Sequence, residues 1–446
     1  MTAYYMRLAL MSFRRNPGLT ALMVGAIALG IAACVMTLTV FHAMSGNPIW
    51  WKGDRLYAVT MDNWDPTQVY DPQHPALAPQ MMTYKDVVYL SRSKIPERKV
   101  IMYKVGGIIS GGTAEKRPHR AVSRATSADF FAMFDVPFEY GGGWTAAADD
   151  SPEPLIVISH KENQTLFGGV NSVGRNIIWN NTQFRIVGVL REWSPTPKFY
   201  DLNNGPFDVP EDAYVPFGWG TTLELLSFGS SNCWKPEPLS SFKDMLNSDC
   251  VWLQMWVELP DAATRDQFQS FMDNYWGDQR AAGRFPRPRK NALTPVPQWL
   301  SDQGVVENDN RVLVGLSFAF LAVCLINTVG LLLAKFLNGA AITGVRRALG
   351  ASRRQVFQQH LVEVGMLASL GAVLGLILGA VGLWIVHAMY AANSFGERGG
   401  FQELTHFDTS SVIWAVVLAI VATLAAGLYP AWRIGRLPPA IYLKSQ

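Results

Sequence analysis

A chain of 446 residues is long enough for two or three compact units. Apolar residues make up 49% of it and charged residues only 16%, too few charges for a wholly soluble protein of this length. The formal net charge of +3 gives no basis for nucleic-acid binding; the charges matter because they are sorted along the chain.

The first 18 residues carry Arg7, Arg14 and Arg15 and no acid. Residues 19–44, from Leu19 to Met44, are the first apolar run. About 20 apolar residues suffice for a helix to cross a bilayer. A cleaved signal sequence has a core of roughly 7–15 residues, so a run of about 25 reads as a retained anchor.

Residues 45–310 are expected to form a soluble α+β domain of two subdomains. Thr126–Phe134 reads as a helix opening on a Thr or Ser cap. Leu155–Ser159 (LIVIS) reads as a buried strand. Asn176–Trp179 and Phe184–Leu190 read as a hairpin turning at Asn180–Asn181. The stretch 191–250, rich in Pro, Gly, Asn and Ser, reads as an insertion or long loops. Asp261–Trp276 reads as an amphipathic helix capped by Asp261. Residues 283–297 read as an extended return toward the membrane. Their basic part, Arg284–Lys290, is either a solvated surface or an attractor of anionic headgroups or a partner. Gly169 to Gly174 has the spacing of a phosphate-binding loop, but Arg175 and Asn176 replace the required Lys and Ser or Thr, so it reads as a turn. No His pair has metal-ligand spacing. Cys233 and Cys250 lie 17 residues apart in this domain, and an oxidising compartment permits a disulfide between them. Cys34 and Cys324, inside apolar runs, read as small packing residues.

Three further apolar runs follow, at 311–335, 361–390 and 411–432. The third span carries Gly371, Gly375 and Gly379, with Gly382 beyond. That spacing leaves one helix face without side chains, suited to a sliding contact or to tight static packing. Lys335, Arg346, Arg347, Arg353 and Arg354 flank or occupy the 336–360 loop, and Arg433, Arg436 and Lys444 the tail 433–446. By contrast, Ser45 to Asn310 holds 25 basic and 31 acidic residues, and the 391–410 loop is net −2. Basic residues collect on the cytoplasmic side, so both termini and the 336–360 loop are expected there, and the large domain and the 391–410 loop outside. Within the cytoplasmic loop, Gly344 to Gln359 reads as a short amphipathic helix. Val345, Leu349 and Val356 give it apolar contacts and its four arginines give it charge. Gly350 permits a bend and Ser352 can cap the next helix.

Several segments together resemble MacB/FtsX-type permeases, the membrane subunits of mechanotransmitting ABC transporters. They are Met6–Pro17, residues 122–144, residues 154–190, GVRRALGASRRQV at 344–356 and GLYPAWRIGRLPPAIYL at 427–443. The resemblance spans essentially the whole chain. It implies an amphipathic cytoplasmic helix at 1–18 and a four-helix transmembrane bundle with a large periplasmic α+β domain inserted between the first and second spans. It implies an inner-membrane location and no catalytic, cofactor or metal site in this chain. ATP and magnesium would be held by a separate cytoplasmic ATPase dimer, which Gly344, Val345, Arg346, Arg347, Ala348, Leu349, Gly350, Ala351 and Ser352 would engage. A second permease, membrane lipids, a periplasmic adaptor and an outer-membrane channel are the other implied partners. Family members commonly carry basic residues and a Glu just before this loop, whereas Asn338–Ile342 carries none. A homodimer and a heterodimer therefore both stay open. Export of small molecules or peptides, lipoprotein release or cell-wall regulation, and ligand sensing by a membrane receptor are the functions to be separated.

Overall fold

The structure, a computed structural model, describes residues 2–393 apart from 73, 112–116, 289–290, 306–307, 339–343 and 348, together with single positions between 417 and 432. The chain divides into two units, Gly46–Val305 and the pair Met1–Ser45 with Val306–Gln446.

Within Gly46–Val305, ten strands form one mixed sheet. They are β1 (Leu56–Thr60), β2 (Arg98–Gly111), β3 (His119–Thr126), β4 (Phe138–Gly141) and β5 (Leu155–Ile158). The others are β6 (Asn176–Trp179), β7 (Thr182–Leu190), β8 (Ala213–Pro216), β9 (Gln254–Glu258) and β10 (Ala292–Pro295). Their order is β10-β1-β9-β2-β3-β8-β5-β7-β4, with β6 on β2 and β7. The β3–β8 and β5–β7 pairs are parallel.

Side chains alternate across a strand, and here both faces are apolar. Ile156 and Ile158 enter one core and Leu155 and Val157 the other; Met255 and Val257 oppose Trp256 in the same way. One face is covered by helices Tyr84–Ser91, His160–Phe167 and Ala262–Ala281, through Val87, Leu166 and Phe268. The other is covered by helices Asp129–Met133 and Val296–Asp302 and the 3₁₀ turn Phe199–Asn204, through Phe130, Trp299 and Phe199. Length predicts two subdomains, but strands from both halves of the segment share one sheet, so a single compact unit with two cores results.

Several local expectations are revised. Thr126 does not open a helix: it stays in β3, paired with Met102 and Pro216. Nor does Ser127 cap one, because its hydroxyl donates to the Lys99 carbonyl and accepts from the Ile101 amide. The helix starts only at Asp129. The 191–250 stretch is not all loop: it supplies β8, which lies between β3 and β5, and a Ser241-capped helix, Phe242–Asn247. It also supplies the partners of Arg124. This fully buried arginine of β3 pairs with Asp201 and Glu211, and Lys198 Nζ lies 2.8 Å from Glu211. Burial would raise the Glu211 carboxyl, but the two cations outweigh it and hold it below the usual carboxylate range. Residues 283–297 include the extended strand β10, which joins the sheet edge beside β1, and run into the helix that begins at Val296. Arg284 and Arg287 are not simply solvated: Arg284 pairs with Asp86 at 2.9 Å and Arg287 with Asp62 at 2.9 Å, while Arg289 and Lys290 lie outside the described residues.

Other features follow the local chemistry. The hairpin β6–β7 turns at Asn180 and Asn181, both at positive φ as a two-residue hairpin turn requires. Asp261 caps the helix Ala262–Ala281 by accepting from the Thr264 amide. Cys233 and Cys250 are joined as a disulfide.

The second unit contains an N-terminal helix (Thr2–Arg15) and three long helices: the first Pro17–Ser45, the second Asn308–Asn338 and the third Arg353–Asn393. Among the described residues, Pro17–His42, Val312–Asn338 and Arg353–Val386 are long and apolar enough to cross a membrane. The third helix begins at Arg353, not near 361, so the last part of the expected loop is helical. The fourth span, the 391–410 loop beyond 393 and the tail lie outside the described residues, apart from the single positions noted.

Small residues set the packing. Ile27, Ile31 and Val35 of the first helix meet Gly371, Gly375 and Gly379 of the third in matching order, so the two run parallel. A methyl group added at Gly371 would lie 2.6 Å from Ile27 Cγ2, and one at Gly375 2.8 Å from Ile31 Cβ. The second helix runs the other way. Gly30 faces Leu321 and Cys324, and Thr37 Oγ1 donates to Ser317 Oγ at 2.9 Å. Cys34 and Cys324 are buried in this packing.

Candidate functional site

Residues 344–352, apart from Ala348, form an elbow held by local hydrogen bonds. Residues 344–347 form a helical turn. The Ala351 amide donates to the Arg346 carbonyl and the Gly350 amide to that of Arg347, with Gly350 at φ +102°. This is a Schellman-type stop, which a side chain at that glycine would strain. The next helix starts at once. Ser352 Oγ accepts from the Gln355 amide, and Gln355 Oε1 accepts from the Ser352 amide at 2.8 Å, a reciprocal capping box. With no slack between the two motifs, the elbow is an extension of the third helix.

The elbow presents an apolar tip. Leu349 is 83% exposed and Val345 47%. Arg346 anchors the tip from behind, donating to Gln359 Oε1 at 2.7 Å on the third helix and to Tyr4 Oη at 3.2 Å on the N-terminal helix. Val356, expected beside Leu349, instead faces inward and is buried with Phe13 and Phe336. Gly344 is buried and Ala351 half-buried, and Ala348 lies outside the described residues. Gly371, Gly375 and Gly379 are not part of this tip; they lie on the first-helix contact described above.

Behind the elbow is a buried charged cluster that the sequence does not reveal. Lys335, near the end of the second helix, is 2.7 Å from Glu363 Oε1 on the third. Ser12 of the N-terminal helix donates to the same oxygen at 2.7 Å. His360 Nδ1 is 3.4 Å from Glu363 Oε2, and its ring packs on Phe336. Lys335 also sits 4.7 Å over the Phe13 ring. Lys335 and Glu363 are only 5% and 4% exposed. Read along the chain, Lys335 is one more loop cation and Glu363 a stray acid at the start of a span. A warning was present in the sequence: an ionisable residue within an apolar run demands a partner. One carboxylate thus ties together three helices, including both that flank the elbow.

Residues 20–275 match the family described as MacB-like periplasmic core domain, and residues 314–439 that described as FtsX-like permease C-terminal. The pyoverdine export ATP-binding/permease protein PvdT of Pseudomonas syringae pv. tomato is 24% identical over 96% of this chain and 57% of its own length. The macrolide export ATP-binding/permease protein MacB of Wolinella succinogenes is 22% identical over 72% of this chain and 43% of its own. The chain therefore spans about half the length of these relatives. The periplasmic region of MacB from Actinobacillus actinomycetemcomitans aligns with 56% of the chain at 12% identity and a TM-score of 0.35. With the core-domain match covering more than half of its residues and the permease match most of the rest, the chain belongs to the MacB/FtsX-type ABC transporter permeases.

Proposed function

We propose that the chain is the non-catalytic permease subunit of an exporter. In this reading a separate cytoplasmic ATPase dimer binds ATP and magnesium and pushes on the 344–352 elbow. The displacement passes through the second and third helices to the periplasmic domain, in a complex with a second permease. Relatives named for pyoverdine and macrolide export support small molecules as the cargo. A periplasmic adaptor and an outer-membrane channel complete the export route. Lys335 and Arg346, with the basic tail, belong on the cytoplasmic side.

The observation that carries this reading is the elbow itself. Its exposed Leu349 stands on a turn braced by Arg346 against the third helix and the N-terminal helix. In this reading a load on that tip passes through Arg346 into the third and N-terminal helices. The test is to isolate the chain in mild detergent with the ATPase that accompanies it and compare it with the Arg346→Glu, Arg347→Glu double variant. ATP turnover should continue while cargo movement falls at least tenfold, with the variant still inserted in the membrane. Unchanged transport, or the absence of any ATPase partner, contradicts the reading.

A further inference from the structure

On the Gly46–Val305 unit a cavity of about 310 Å³ opens beside the 3₁₀ turn Phe199–Asn204. That volume suits a small ligand. Its floor is apolar, made by the buried rings of Phe134 and Phe199. Two indoles form its walls. Trp51 is 56% exposed, and Trp193 has one face stacked on Tyr200 with ring centres 5.6 Å apart. Three prolines complete the walls, so the shape is largely fixed before anything binds.

The rim is acidic. Asp135 accepts from the Trp51 indole N–H at 2.8 Å and lies 3.4 Å from Lys52 Nζ, so its charge is matched. Glu192, also on the rim, is exposed and has no ion-pair partner among the described residues. The mouth therefore keeps one negative charge with no ion-pair partner among the described residues, beside two indoles, a ring type that attracts cations through its quadrupole. An anion meets repulsion from Glu192, and a neutral apolar molecule leaves that carboxylate unused.

We propose that this cavity binds a small organic cation, a quaternary or protonated amine carried on an apolar or aromatic body. The body fills the Phe134–Phe199 floor while the cationic head lies between Trp51, Trp193 and Glu192. The assignment stands on the domain alone and does not depend on the elbow acting as a coupling site.

The test uses the full chain in lipid nanodiscs at low salt, titrated calorimetrically with benzyltrimethylammonium and, in parallel, with uncharged N-benzylacetamide. The cation should bind at one saturable site. Glu192→Gln and Trp51→Leu should each weaken it about fivefold, the size of a surface ion pair or cation–π contact. Asp266→Asn removes another exposed carboxylate, on helix Ala262–Ala281, and should leave binding unchanged. Equal binding of the neutral probe overturns the proposal, as does an equal effect of Asp266→Asn and Glu192→Gln or the absence of saturable binding. Both test residues are surface-exposed, so loss of fold does not confuse the result.

Discussion

Glu363 carries more of the transmembrane unit than its place in the sequence suggests. Its carboxylate receives Lys335 and Ser12 at 2.7 Å each, so three helices meet at one buried charge. Removing one member of such a pair strands the other, at a cost of about 3–5 kcal/mol, whereas replacing both with neutral groups costs much less. Glu363→Gln should therefore lower the thermal midpoint of the purified chain in detergent more than the combined Glu363→Gln, Lys335→Met change does. A combined variant as unstable as the two single losses added together would show that the pair is not coupled. The cluster was illegible beforehand because each residue had a sufficient local reading. Lys335 served the charge-sorting rule and Glu363 the edge of a span, and only the packing of three helices brings them together. The same holds for Lys198, Asp201 and Glu211, which sit in a stretch that reads as loop until Arg124 is seen among them.

At the level of elements, what could be read was what local chemistry determines. The LIVI run of β5, the Asn180–Asn181 turn and the Asp261 cap need no distant partner to form. The Gly350 stop and the Ser352 cap are likewise local, and they divide the loop where the residue types suggest. By contrast, β8 is only four residues long and ends in Pro216, and it becomes a strand because β3 and β5 lie on either side. Thr126 and Ser127 look like caps, but the backbone of Thr126 pairs within the sheet and the Ser127 hydroxyl is taken by the Lys99 and Ile101 backbone. The glycine stripe gives the sharpest test of helix packing. A side chain at Gly375 must displace Ile31 or the backbone oxygen of Ala28, 2.8 and 2.9 Å from the added carbon. Gly375→Leu should force the first and third helices apart and cost about 1–3 kcal/mol, as overpacking does elsewhere. Cysteines placed at Val35 and Gly379, where an added Cβ would lie 3.7 Å from the Val35 Cβ, would report it, with cross-linking efficiency falling in the Gly375→Leu background. Unaltered cross-linking would mean that the helices do not rely on this close approach.

For the molecule as a whole, charge sorting and family membership point the same way. Basic residues cluster around the elbow and the tail, while the large domain is net acidic. Apolar helices of membrane-crossing length flank that domain in the chain. The account depends on the elbow facing the cytoplasm, where an ATPase can reach it. The cysteine inventory makes this directly measurable: Cys34 and Cys324 are buried, and Cys233 is bonded to Cys250, so the background of reactive thiol is low. Leu349→Cys places a single thiol at the most exposed point of the elbow. Treated with a membrane-impermeant maleimide, spheroplasts carrying this variant should stay unlabelled until the membrane is permeabilised, and then label fully. Labelling of intact spheroplasts would put the elbow outside, beyond the reach of any cytoplasmic motor, and the proposed relay would fail.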